Sequence, residues 1–294
     1  VQGNFVLRLL AACCVLCGVG TTWAAGQGHH ILWEVKGRHN TVYLLGSVHM
    51  LRPDNSAIPV EALHAYEEAK ALVMELDLNA TGAEALSAPE PQLELLPEGQ
   101  TLATALGAEL YGKFKTQATA VGLDPELLAR CQPWFASLML EQLELSNAGF
   151  DTASGVDMQF AQRAQLDGKS IIGLETLSDQ LGIFAHLSLP QQRDYMRSTL
   201  DNFKSDLKDT DRVVRAWQDG DTVKLEQLLR EGTHDSPELY RMLTTDRNRK
   251  WLPKITQLLD DNYNYLIIVG ALHLIGDDGV IELLRQHGYE PVQH

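Results

Sequence analysis

Apolar residues near the front of the patterned region fall in two β-rich runs, "ILWEVKG" from Ile31 and "TVYLLGSVHM" from Thr41, around the polar turn "RHN". That spacing predicts a hairpin. A proline-containing loop, "LRPDNSAIP", follows; "VEALHAYEEAKA" then repeats its apolar positions at helical spacing, and "ALVMELDL" is an apolar run of strand length. At the far end, "TTDRNRKWLPKITQLLDDN" reads as a helix despite its proline and "YLIIVGALH" as a strand. After them come "DGVIELLRQHG", a helix closed by Gly288, and a final short strand, "YEPVQ". Both ends thus run strand, Gly-x-x-His, helix, strand, with Gly46 to His49 in the first and Gly270 to His273 in the second. The order fits an internal duplication, and it is also common enough to arise without one.

Between the two ends lies a stretch richer in helix than strand. "SAPEPQLELLPEGQ" has linker composition, and "TLATALGAELYGKFKTQATAVG", "PELLARCQPWFASLMLEQLEL" and "GVDMQFAQRAQLDG" have helical spacing. One β-like run, Lys169 to Glu175, interrupts them before helical patterns resume. The expected fold class is α/β. Its mixed or parallel sheet core is built from the N- and C-terminal strand, Gly-x-x-His, helix, strand units, with a helical insertion at about 98–240.

Composition sharpens this picture in two places. A chain of 294 residues, 45% hydrophobic and 21% charged, has ordinary globular composition and can bury a sizeable core. Its net charge of −15, with no basic run to offset it, argues against nucleic acid or anionic lipid as a partner. The N-terminus carries one positive charge at Arg8, an apolar run from Leu9 to about Val19 and small residues around Ala24 to Gly26, which is a secretory signal layout. We expect a signal peptide over 1–26 and one domain over 27–294, located in the periplasm or outside the cell. The apolar run is shorter than the roughly 20 residues a spanning helix needs, so no stable membrane span is expected after cleavage. Too little apolar sequence precedes Cys13 in "LAAC" for a lipoprotein anchor. With Cys13, Cys14 and Cys17 removed, only Cys131 remains, so no internal disulfide forms and Cys131 reads as a small buried hydrophobe.

The doubled motif is the candidate chemistry. If the two preceding strands lie parallel in one sheet, Gly46 and Gly270 allow sharp turns at their C-terminal ends, and His49 and His273 project into the crevice where α/β sheets bind ligands. Either histidine alone is better read as a capping or core residue. Two in matching contexts are not, because a shared core position rarely demands the same polar side chain twice. Glu75 sits in the apolar run "ALVMELDL", where an unpaired carboxylate costs several kcal/mol, so it must meet a cation, a metal or a strong donor if it faces inward. Asp77 shares its face two residues on and suits a strand emerging into solvent. His49, Glu75 and His273 together form a ligand set for a divalent metal ion (zinc, manganese or cobalt), which would activate water and polarise a carbonyl for hydrolysis. No Gly-x-Ser-x-Gly elbow is present, and Cys131 has no marked partner.

"LLGSVHML", "VMELD", "IIGLET", "DRNRKW" and "VGALHLIGDDGVIELLRQHGYEPV" resemble the TraB/GumN family, to which the Tiki-type metalloproteases are related. The resemblance runs through most of the chain after the export segment and implies an EreA/ChaN-like α/β fold. It also implies a divalent metal on His49, Glu75 and His273, with Arg247 as a further site residue. Arg247 would stabilise an oxyanion or hold a substrate carboxylate; by itself it would read as a helix-surface arginine. Glu175 reads as a general base, as a partner to a metal-binding histidine, or as a cap of the following helix. Asn248 would orient Arg247 or lie on the surface. His64, His186 and His287 fall on helical patterns and read as surface or packing residues. The function expected is an exported metal-dependent hydrolase acting on a peptide or protein. The alternative is a non-catalytic accessory protein of polysaccharide export or peptide sequestration that keeps the metal cleft.

Overall fold

The computed structural model describes residues 30–77, 93–233 and 237–294. The expected export segment with its three cysteines, and the first part of the expected linker, lie outside the described residues. Six strands form one mixed sheet: β1 Leu32–Lys36, β2 Thr41–Ser47, β3 Ala71–Met74, β4 Ile171–Gly173, β5 Tyr265–Gly270 and β6 Val292–Gln293, in the order β4-β3-β5-β2-β1-β6. β1 pairs antiparallel with both β2 and β6, whereas β2-β5, β5-β3 and β3-β4 are parallel. Every residue of β5 and β3 is buried, and all but Tyr43 of β2. That accounts for their near-continuous apolar sequences, since a central parallel strand is covered on both faces.

Helix α1, Val60–Glu68, connects β2 to β3 and packs on β5. The helical middle then supplies α2 Leu102–Leu106, α3 Ala108–Ala120, α4 Pro133–Asn147, α5 Val156–Asp167, α6 Leu177–Ala185, α7 Leu189–Gln218, α8 Thr222–Thr233 and α9 Pro237–Tyr240. A π-helical turn, Arg241–Thr245, leads from α9 directly into α10, Asp246–Leu259. After β5 come α11 Ala271–Leu274 and α12 Val280–Gln286. The main core includes residues from all the central strands, with Trp134, Trp251, Tyr66 and Phe160 among its large side chains. A second apolar cluster joins α2, α3, α4 and α7 through Leu106, Phe114, Leu140 and Met196. No helix among the described residues is long and apolar enough to cross a membrane.

Four details differ from the pattern reading. The expected helix over "TLATALGAELYGKF" is broken at Gly107, whose φ of 79° ends α2 and starts α3. The sheet is not built from the chain ends alone, because β4 comes from within the helical middle and forms one edge. The two end units are not equivalent in space either: β3 lies parallel beside β5, while β6 adds antiparallel to β1 at the opposite edge. Finally, β3 stops at Met74, so Glu75 stands just past the strand rather than inside it.

Candidate active site

The β2-β5 register sets Gly46 opposite Val269 and Ser47 opposite Gly270, so the two Gly-x-x-His motifs leave the same end of adjacent parallel strands. Beyond β2 the chain runs on to His49; beyond β5 it winds into α11, which carries His273, and both imidazoles are buried. On the other side of β5, the end of β3 delivers Glu75. Its Oε1 lies 3.8 Å from His49 Nε2 and 3.9 Å from His273 Nε2, and accepts the Gly270 N–H at 2.8 Å. Asp77 is exposed and stands outside this group.

Neither motif glycine has a positive φ, so neither makes the sharp turn expected of it; close approach requires glycine at position 46, whereas at Gly270 a Cβ would only touch its neighbours. A Cβ on Gly46 would overlap Ile31 and stand 2.9 Å from the Ala271 Cα. A Cβ on Gly270 would stand 3.4 Å from both Glu75 Oε1 and His49 Nε2 and 3.5 Å from His273 Cδ2. Glycine there leaves a cradle bordered by all three side chains. A 20 Å³ cavity beside it, lined by Ser47, His49 and Gly270 among others, has room for about one water-sized group. Ser47 Oγ is buried without a hydrogen-bond partner among the described residues.

Arg247 is not on the surface: it is 3% exposed, in the first turn of α10 just after the π turn. Its Nη2 donates to Glu75 Oε2 at 2.5 Å and Glu175 Oε1 at 2.6 Å, and its Nε reaches both Glu175 oxygens at 3.1 Å. Nη1 donates to the Leu243 carbonyl and stands 3.0 Å from His273 Nε2. The guanidinium also lies 4.8 Å from the Trp251 ring centroid, and Trp251 Nε1 donates to Glu175 at 3.1 Å. Glu175 therefore is not the cap of α6, which Thr176 provides, and its carboxylate is engaged by Arg247 and Trp251.

Burial by itself would raise the Glu75 carboxyl, but Arg247, the two imidazoles and the Gly270 N–H outweigh it and hold it down at about 2. Burial, then the Arg247 charge, pushes His273 down to about 3. Asn248 completes that arrangement, and its partner is His273 rather than Arg247. Its Nδ2 donates to the carbonyls of His273 and Asp278, which fixes the amide so that Oδ1 faces His273 Nδ1 at 2.7 Å. Nδ1 then carries the proton and the Nε2 lone pair faces inward. Two neighbours had no sequence signal. Gln180 of α6 donates to Glu75 Oε2 at 3.2 Å, and Asp157 of α5 lies 3.2 Å from His49 Nδ1. An acidic residue in a first helical turn is ordinary, so nothing in "SGVDMQF" marks Asp157.

Among the described residues, no group of three or more His, Cys, Asp or Glu side chains meets the spacing of a metal centre. Arg247 supplies the positive charge that Glu75 meets instead. The donor chemistry nevertheless fits a divalent cation: a neutral imidazole with Nε2 inward, a second imidazole, a carboxylate kept ionised, and no Cβ in the cradle between them. A groove of 590 Å³ between α6 and α10 is lined by Glu175 and Arg247 together with Ile183, His186, Met242 and Lys250, so it adjoins the buried cluster.

Over residues 31–293 the sequence matches the TraB/PrgY/gumN family. The chain belongs to that family. Among relatives, it is 25% identical to the YbaP protein of Escherichia coli (strain K12), over 92% of this chain and 99% of YbaP. It is also 25% identical to the metalloprotease TIKI1 of Danio rerio, over 94% of this chain and 65% of TIKI1. With the metalloprotease TIKI2 of Xenopus tropicalis the identity is 24%, over 90% of this chain and 59% of TIKI2. No solved structure matches the chain significantly. Proteins named as metalloproteases thus stand among the relatives that the chain resembles.

Proposed function

We propose that the protein is an exported metal-dependent hydrolase acting on peptides, with His49, Glu75 and His273 as the metal ligands. The observation that carries this reading is the convergence of the three side chains on the cradle at Gly270, from the ends of three adjacent parallel strands. The bound ion (zinc, manganese or cobalt) would supply Lewis acidity and an activated water. Arg247 keeps Glu75 ionised and would stabilise negative charge developing on the scissile carbonyl oxygen. Glu175, on the wall of the groove, would move the proton. Peptide as substrate rests on the TIKI metalloproteases among the relatives. Export rests on the apolar run after Arg8, and a single EreA/ChaN-like domain over 27–294 is part of the same reading. The Arg247–Glu75 contact favours a second reading, a metal-retaining accessory protein that binds its ligand without cleaving it.

Glu75→Gln tests the ligand assignment. It keeps the shape and removes the charge, so the thermal stabilisation that manganese or zinc gives the wild type should be lost in the variant, because an ion that binds only the folded state stabilises by mass action. Equal metal-dependent shifts in the two proteins would remove Glu75 from the site. Elemental analysis of the wild type, repeated on a His49→Ala, His273→Ala double variant, checks the two imidazoles.

A further inference from the structure

We infer that Asp157 is the positioning residue of His49, its carboxylate drawing the imidazole proton onto Nδ1 so that Nε2 faces Glu75 and the Gly270 cradle. The inference deepens the metal-site reading above and rests on it for the role of Nε2, although not for the contact itself. His49 Nδ1 and Asp157 Oδ1 are 3.2 Å apart and both residues are buried; the two groups meet at ion-pair distance and are not aligned as a hydrogen bond.

The chain brings this carboxylate to His49 by a dedicated route. Leu51 and Asp151 exchange backbone hydrogen bonds at 3.2 and 2.9 Å, and Val156 N–H donates to the Val48 carbonyl at 3.1 Å. Between these ties, Gly155 passes so close that a Cβ there would overlap the His49 carbonyl oxygen. The segment leading into α5 is thus fastened along Val48 to Leu51, and Asp157 follows as the second residue of the helix. An acid placed only to favour the helix N-terminus needs none of this.

The second motif solves the same problem with a different residue. His273 has Nδ1 on an oxygen of Asn248, in the first turn of α10, and its Nε2 is 3.9 Å from Glu75 Oε1; the corresponding His49 distance is 3.8 Å. An imidazole whose Nδ1 faces an oxygen keeps its proton there and presents its Nε2 lone pair, and a carboxylate in that place makes Nε2 the better donor. His49, on a carboxylate, is therefore the stronger of the two ligands, and His273, on a carboxamide, the weaker.

The test compares wild type, Asp157→Ala and Asp157→Asn, labelled with ¹⁵N at histidine. Ring-nitrogen NMR in chelator at neutral pH should show His49 as the Nδ1–H tautomer in the wild type and a shift away from it in Asp157→Ala. Zinc titration should show about 10- to 100-fold weaker binding in Asp157→Ala. A wild-type His49 that is the Nε2–H tautomer, or doubly protonated, overturns the inference, as does an Asp157→Ala protein with unchanged tautomer and affinity. If Asp157→Ala does not fold, Asp157→Asn decides: weaker zinc binding supports the carboxylate's role, and unchanged binding removes it. Because the tautomer is read without metal, failure of the wild type to bind zinc would sink the metal-site reading while leaving the Asp157 contact judged separately.

Discussion

His273 shows how one residue's surroundings become a property of the whole fold. Its folded pKa is depressed to about 3 from an ordinary 6.5, first by burial and then by Arg247. The unfolded chain therefore takes up a proton that the folded one refuses, so stability is full above about pH 6.5 and is lost as pH falls toward 3. Linkage sets the slope near 1.4 kcal/mol per pH unit for one such group. Between pH 7 and 4.5, in chelator, the unfolding free energy of the wild type should drop by about 2 to 3 kcal/mol more than that of His273→Gln. The corresponding loss for Glu75, held at about 2 against an ordinary 4.5, begins near the lower end of that interval and falls mostly below it. Equal drops in urea melts would show that His273 is not buried neutral. That Glu75 and the two histidines meet could be anticipated from sequence, because a repeated motif and a carboxylate among apolar residues are local signals. The Asn248–His273 and Asp157–His49 contacts could not be, since each spans 25 residues or far more and involves a residue type common in helices.

At the scale of elements, most identities follow from periodicity, and the misread ones have physical causes. The hairpin β1-β2, helix α1, strand β5 and helix α12 sit where alternation and helical spacing place them. α2 and α3 read as one helix because their apolar spacing continues across Gly107, and only that residue's positive φ separates them. In α10 the "DRNRK" sequence offers several polar residues, and the preceding π turn shifts which of them faces the core, so the inward position of Arg247 depends on tertiary packing. The segment that holds the His49 loop is equally invisible in sequence, and it gives a sharp contrast between two glycines. Gly155→Ala must displace backbone at the His49 carbonyl and should cost about 1 to 3 kcal/mol, as overpacking does. Gly112, exposed within α3 with nothing near its would-be Cβ, should give a gain of about 0.5 to 1 kcal/mol on Gly112→Ala. Thermal melts of the two variants check both signs, and a stabilised Gly155→Ala protein would show that the clamp on His49 is loose.

For the molecule as a whole, the repeated phrase at the two chain ends already says that they belong together, and the sheet shows why the fold needs them. β5 lies between β2 and β3 and pairs in parallel with both, so the last 30 residues supply the strand that joins the N-terminal hairpin to the β3-β4 half of the sheet. What the repeat could not reveal was strand order, because β4 enters from the helical middle and β6 crosses to the far edge, contacts set by packing at long range. Ending the chain after Asn264 would remove β5, α11, α12 and β6 together. It would leave two separate two-stranded ribbons, each exposing apolar faces that the intact sheet buries, and isolated pairs of that size are marginal in water. A fragment of residues 30–264 should therefore lack a cooperative unfolding transition in urea, with its fluorescence changing gradually, although most of the helical sequence is retained. A sharp transition with a midpoint near that of the full chain would mean that the N-terminal unit and the helical middle form a core of their own, and the β5-centred account of the fold would fall.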